Sequence, residues 1–189
     1  MNIEEEFLKA QLEKFSEYRS EFIAETRHED ILMSILRVHM YIEKEMVELT
    51  KIYFKYPNKF NDYTFKSRLD LLYALGVIER ELYDPIQSIN NVRNKLSHNL
   101  DFKFTENIYK KIYDSLSKEI LTEFKKDLEV YSWLNKNPNF IEKTKILLAC
   151  IWTNIKASVL TSFINKRELA KELEMQALDD LIEFEKSRK

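Results

Sequence analysis

The stretch Ile31–Tyr53, ILMSILRVHMYIEKEMVELTKIY, decides the fold class. Ile31, Ile35, Val38, Ile42, Met46, Leu49 and Tyr53 follow one another at steps of 4, 3, 4, 4, 3 and 4. That spacing draws one apolar stripe along an α-helix and does not fit the two-residue alternation of a half-buried strand. Just before it, Thr26-Arg27-His28-Glu29 has the form of a capping box, with Thr26 as N-cap and Glu29 at N3. Just after it, Pro57 predicts the end, because a proline disfavours helix at the residue before it, here Tyr56.

Outward from this helix the same pattern repeats. Residues 2–24 read as a first helix, with Phe7, Leu8, Leu12, Phe15, Phe22 and Ile23 on its apolar side. Phe65, Leu69, Leu72 and Leu75 mark a third, closed by the single glycine, Gly76, in the left-handed conformation. Asp84-Pro85 predicts N-cap and N1 of a fourth helix carrying Ile86, Ile89, Val92 and Leu96 and ending at Asn99. Thr105 predicts the cap of a fifth helix over 106–134. Asn137-Pro138 predicts the start of a sixth over about 139–164, the most apolar of the set, and a charged seventh follows over 166–188. The expectation is one all-α domain over residues 1–189, an up-and-down helical bundle in which 138–189 form a C-terminal hairpin packed on the rest.

Composition agrees. One glycine and three prolines leave little material for sheets with tight turns. A chain of 189 residues buries roughly 70% of its unfolded surface and folds without a metal or disulfide. The net charge of −2 excludes a protein that coats nucleic acid electrostatically, so any RNA contact is expected to be local. A lone cysteine, Cys150, makes no disulfide framework and no zinc pattern, which fits a reducing cytoplasm. The acidic opening Glu4-Glu5-Glu6 is unlike a signal peptide. The unbroken apolar run Ile146 to Ile155 is about half of a membrane span, so no membrane is expected.

The chemistry-bearing stretch is Asn91-Val92-Arg93-Asn94-Lys95-Leu96-Ser97-His98-Asn99. On a wheel of 100° per residue with Ile89 at zero, Leu82, Ile86, Val92 and Leu96 fall within about 60°. Arg93 lies at the stripe's edge, and Asn94 and His98 lie away from it as an i,i+4 pair. Metal-free RNA cleavage needs a base for the 2′-hydroxyl, an acid for the leaving 5′-oxygen and a cation for the phosphorane. One chain supplies one suitable imidazole, whereas a two-fold dimer supplies two His98 and two Arg93 in one cleft. Arg93 would clamp phosphate with its fork, and Asn94 would hold the His98 ring or the substrate. The same residues also fit plainer roles: an arginine snorkelling at a stripe edge and a histidine on a helix C-terminal dipole.

Gln87-Ser88-Ile89-Asn90-Asn91-Val92-Arg93-Asn94-Lys95-Leu96-Ser97-His98, after a helix ending in LLYALGVI, resembles the HEPN superfamily with its R-x4-6-H signature. The span from about Ile31 to Asp101 further resembles the mannitol-operon repressor branch. The resemblance implies a HEPN-like core over 27–134, usually a homodimer, and often a metal-independent endoribonuclease of toxin–antitoxin or anti-phage systems. Arg93, Asn94 and His98 are then its catalytic residues. Where some HEPN toxins carry a tyrosine two residues past the histidine, this chain has Leu100, so silencing by modification there is not implied. The repressor branch is regulatory and implies an alternative: a non-catalytic adaptor binding protein or RNA.

Other features carry less. Lys95, Lys103, Lys110 and Lys111, interleaved with Phe102 and Phe104, form a candidate basic rim for a single RNA strand, or a solvated helix start with two core phenylalanines. His28 reads as exposed, and His39 as a packed, hydrogen-bonded residue. No histidine pair has metal spacing, so neither metal nor other cofactor is expected. Cys150, Trp133 and Trp152 read as core or interface residues. RNA and a regulatory partner protein are the expected ligands, and DNA is not.

Overall fold

A computed structural model describes residues 14–15, 17–135 and 137–187, with the side chains of 133–135 and 179–187 outside the description. The chain is an all-α helical bundle, and its described residues contain no strand. A first helix, α1, covers residues 17–25; the part expected before residue 14, with Phe7, Leu8 and Leu12, lies outside the described residues. Then come α2 (Ile31–Tyr53), a 3-10 turn at Pro57–Phe60, α3 (Phe65–Ala74), α4 (Arg80–His98), α5 (Glu106–Tyr113), α6 (Lys118–Asn135) and α7 (Phe140–Ser187).

The α2 stripe is the centre of the core: Ile35, Val38, Ile42, Met46 and Leu49 are fully buried. Each such side chain contributes on the order of 1.5–3 kcal/mol relative to exposure. Tyr53 turns out of the stripe at 51% exposure and donates to Ser162 Oγ at 3.1 Å. α2 and α7 run side by side in the same direction. Lys145 Nζ donates to the backbone oxygens of Thr26 and Glu29, Lys156 pairs with Glu45 at 3.2 Å, and Lys166 Nζ reaches Ile52 O at 2.5 Å. α1 runs against α7 and is tied down by Arg19, which donates to Thr153 Oγ1 and Asp127 at 2.8 Å and to Glu123 at 3.1 Å.

Several helix ends differ from expectation, each for a local reason. Asp30, not Thr26, caps α2, its carboxylate accepting from Leu32 N. Thr26 is fully buried and donates to Phe22 O at 2.8 Å, while the Glu29 carboxylate is taken by Arg37. α4 begins five residues before Pro85, with Glu79 at the N-cap. Asp84 pairs with Arg80 at 3.4 Å instead of capping, and Pro85 is tolerated inside the helix at the cost of one i→i−4 bond. The expected helix over 106–134 is two, α5 and α6. Ser115 Oγ turns back onto Ile112 O at 2.6 Å and Ser117 Oγ accepts from Ile120 N at 3.3 Å, so the two hydroxyls close one helix and open the next.

α7 begins one step later than Asn137-Pro138 implies. Asn139 is the true cap: its Oδ1 accepts from Glu142 N at 3.0 Å, and Glu142 returns a carboxylate to Asn139 N at 2.7 Å. The hairpin expected over 138–189 does not form, because α7 continues without a turn for 48 residues. Asn165-Lys166-Arg167 carries no proline or glycine, so nothing interrupts the helix. Its first half is buried at Ile146, Leu147, Leu148, Cys150, Ile151 and Ile155, and residues 165–178 are exposed. By length and composition it also passes as a membrane span, with mean hydropathy 1.5 over 18 residues of which half are buried. The unbroken run is shorter because Lys156 interrupts it.

Gly76 closes α3 as its sequence implies. Its φ is +67°, and a Schellman pair forms with Val77 N on Leu72 O and Gly76 N on Tyr73 O, both at 2.9 Å.

Candidate functional site

α4 places the site. Leu82, Ile86, Ile89 and Val92 bury one face against α2 and α3, and Leu96 is half-buried where the last turn leaves the core. Burial of that stripe fixes the helix's rotation and so decides what faces solvent. Asn94, Lys95 and His98 are exposed and Arg93 is half-buried at the edge. Arg93 Nη1 lies 3.5 Å from Asn94 Oδ1, a long contact that sets the guanidinium beside the amide. The exposed imidazole of His98 has no hydrogen-bond partner among the described residues, so it stands available in the last turn of α4.

Two further features of α4 are not carried by residue type alone. The first is a polar ladder. Gln87, Asn91, Asn94 and His98 are spaced 4, 3 and 4 apart and share the face opposite the core. Gln87 Nε2 donates to Asn91 Oδ1 at 2.9 Å, and Gln87 Oε1 is buried without a partner. The 4, 3, 4 spacing is legible in the sequence itself.

The second is a buried tie beneath Arg93. His39, on α2, shares a hydrogen bond of 3.1 Å between Nε2 and Asn90 Oδ1, and its ring stacks on Phe65 at 3.9 Å. Both residues are buried. Desolvation holds the His39 pKa below its ordinary value of 6.5, and the nearby Arg93 charge pushes the same way, against the Asn90 bond and Glu43. The neutral ring then donates from Nε2, and α2 grips α4 one helical turn before Arg93. His39 is thus a packed, hydrogen-bonded residue. Beside it on α2, turning outward, Met33 and Met40 are 54% and 67% exposed. Seven residues apart, they share one outward face of α2.

The lysines of the expected rim, Lys95, Lys103, Lys110 and Lys111, are all exposed. Phe102 and Phe104 are half-buried and pack on the core, Phe104 also stacking on Phe140 at 5.9 Å. Cys150 is buried, and desolvation pushes its thiol up to about 12, which removes it as a nucleophile. Trp152 is buried against Tyr18, Phe22 and Tyr41, and the Trp133 side chain lies outside the described residues. His28 is exposed. Among the described residues, no three His, Cys, Asp or Glu gather as a metal-binding group.

No protein-family model matches the chain, and no curated protein or solved structure matches it.

Proposed function

We propose that the chain is a metal-independent endoribonuclease of HEPN type, a toxin or anti-phage effector whose site is completed by a second copy. The observation that carries this reading is the end of α4: Arg93 held against Asn94 at the stripe edge, with an exposed His98 one turn on that has no partner among the described residues. Two copies meeting across this face would bring two imidazoles and two guanidiniums to one phosphodiester. One neutral His98 takes the 2′-hydroxyl proton. The 2′-oxygen attacks phosphorus, and the other His98, protonated, gives a proton to the departing 5′-oxygen. The Arg93 forks carry the charge that builds on the phosphorane oxygens. The exposed methionines of α2 supply apolar surface for such a contact.

Incubating RNA with the protein in EDTA tests the reading. Wild type is expected to release fragments with 2′,3′-cyclic phosphate ends, and His98→Ala none. The substitution leaves the fold intact, since surface changes usually cost under about 0.5 kcal/mol. RNA left untouched by wild type sinks the nuclease.

One observation favours a second reading. In the single protomer Arg93 and His98 line neither of the two clefts that α1 and α7 border. A surface outside those clefts suits a regulator or adaptor that binds RNA or protein without cutting it. Intact RNA bound with an affinity that His98→Ala does not change would establish that alternative.

A further inference from the structure

A shallow cleft of about 490 Å³ opens where α5, α6 and the start of α7 meet. Tyr109, Tyr113, Phe124 and Leu128 line it, and Lys110, Lys125 and Lys143 stand around it, with Asp114 the one acidic residue among them. The three lysines are exposed and come from three different helices. Tyr109 and Tyr113 are an i,i+4 pair whose rings stack at 6.0 Å and 28°, and both are held from behind. Tyr109 rests edge-on against Phe140 at 5.6 Å and Tyr113 against Phe124 at 6.0 Å. The platform is therefore fixed before any ligand arrives, which lowers the entropy a ligand must overcome.

Taking the nuclease or RNA-adaptor reading as its basis, we propose that this cleft holds a single-stranded stretch of the RNA, away from the Arg93 and His98 site. Each component has a counterpart in such a strand. The tyrosine faces accept bases by stacking, which every base permits, and the three ammonium groups lie where the phosphates run. An acidic peptide would use the lysines and leave the stacked rings idle. Lys103 and Lys111 are also exposed, on the loop before α5 and on α5. A protein of net charge −2 that meets RNA must do so through a local positive surface, and this is one built around aromatic rings.

The test is binding of a short 2′-O-methyl oligonucleotide, which lacks the attacking hydroxyl and so separates binding from cleavage. Fluorescence anisotropy with the full chain is expected to show Lys125→Gln and Lys143→Gln each weakening binding. Each should also lower the slope of log K against log salt by about 0.7. Tyr109→Ala is expected to weaken binding on the order of tenfold, and Tyr109→Phe to keep it. The lysine variants change only exposed side chains, so they decide the matter even if Tyr109→Ala fails to fold. Unchanged affinity and slope in both lysine variants overturn the cleft, while EDTA-resistant cleavage lost in His98→Ala still leaves the nuclease standing. Cleft-dependent binding without any cleavage has the opposite meaning: the cleft stands and the nuclease falls.

Discussion

Arg93 and His39 show how much a single residue's setting decides. Arg93 is half-buried, so its aliphatic stem packs at the stripe edge while its fork reaches the Asn94 amide. Arg93→Lys keeps the charge and loses the planar fork. Under the nuclease reading it is expected to cut cleavage at least tenfold while the thermal midpoint moves little; wild-type rates in Arg93→Lys would remove the phosphate clamp. His39 bears on stability instead. Its folded pKa lies below the ordinary 6.5, so the unfolded chain takes up the proton first. Its contribution is therefore complete above about pH 6.5 and is lost as pH falls from there through the folded pKa. Urea midpoints of wild type are expected to drop between about pH 7 and 5 by more than those of His39→Gln, which can still donate to Asn90. Equal drops would mean that other groups carry the acid sensitivity. Of these residues the sequence showed the identities and the spacing. It did not show the Asn90 bond or the Phe65 stack, because both partners lie on other helices, 51 and 26 residues away.

At the scale of the element, periodicity was reliable and end signals were not. The stripes of α2, α3 and α4 lie where their spacing puts them except at the ends, where Tyr53 and Leu75 are exposed, since burying a continuous apolar face outweighs any single local preference. Caps compete at about 1 kcal/mol each, and a neighbour can take the capping group away. Glu29 went to Arg37 and Asp84 to Arg80, both through charges that the cap motif does not include. Gly76 met no such competitor. A Cβ there would touch nothing within 4 Å, so Gly76→Ala is expected to cost about 1–2 kcal/mol through φ of +67° alone. Gly76→Asn is expected to cost less, because Asn accepts that region. An equal loss for both in chemical denaturation would point to a cause other than backbone strain. Asn139→Ala opens the reciprocal cap of α7 and is expected to cost about 1 kcal/mol by the same measurement.

The whole molecule is a bundle whose longest helix outruns it. Lys166 reaches back to the carbonyl of Ile52, and beyond it every described side chain of α7, through Leu178, is exposed, Leu169 and Leu173 at 57% each. Ending the chain after Asn165 therefore removes, among the described side chains, none that belongs to the core. The cost is expected to stay within about 1 kcal/mol. Ile155→Ala, by contrast, is expected to cost about 2–5 kcal/mol, because Ile155 is fully buried. Loss of cooperative unfolding in the shortened chain would show that the exposed half of α7 supports the core after all.

The sequence by itself determined the all-α class, the apolar faces of its helices and the exposure of Asn94 and His98. These are properties of one helix at a time, written in spacings of three and four residues. Tertiary structure decided the rest. It set α7 alongside α2 in one direction and continued it past the expected turn, and it placed His39 beneath Arg93. It also gathered Lys110, Lys125 and Lys143 around Tyr109 and Tyr113 from three helices. The physical reason is the range of the forces concerned. A helical stripe is fixed by near neighbours along the chain, whereas packing, desolvation and the meeting of charges depend on which surfaces fold against each other.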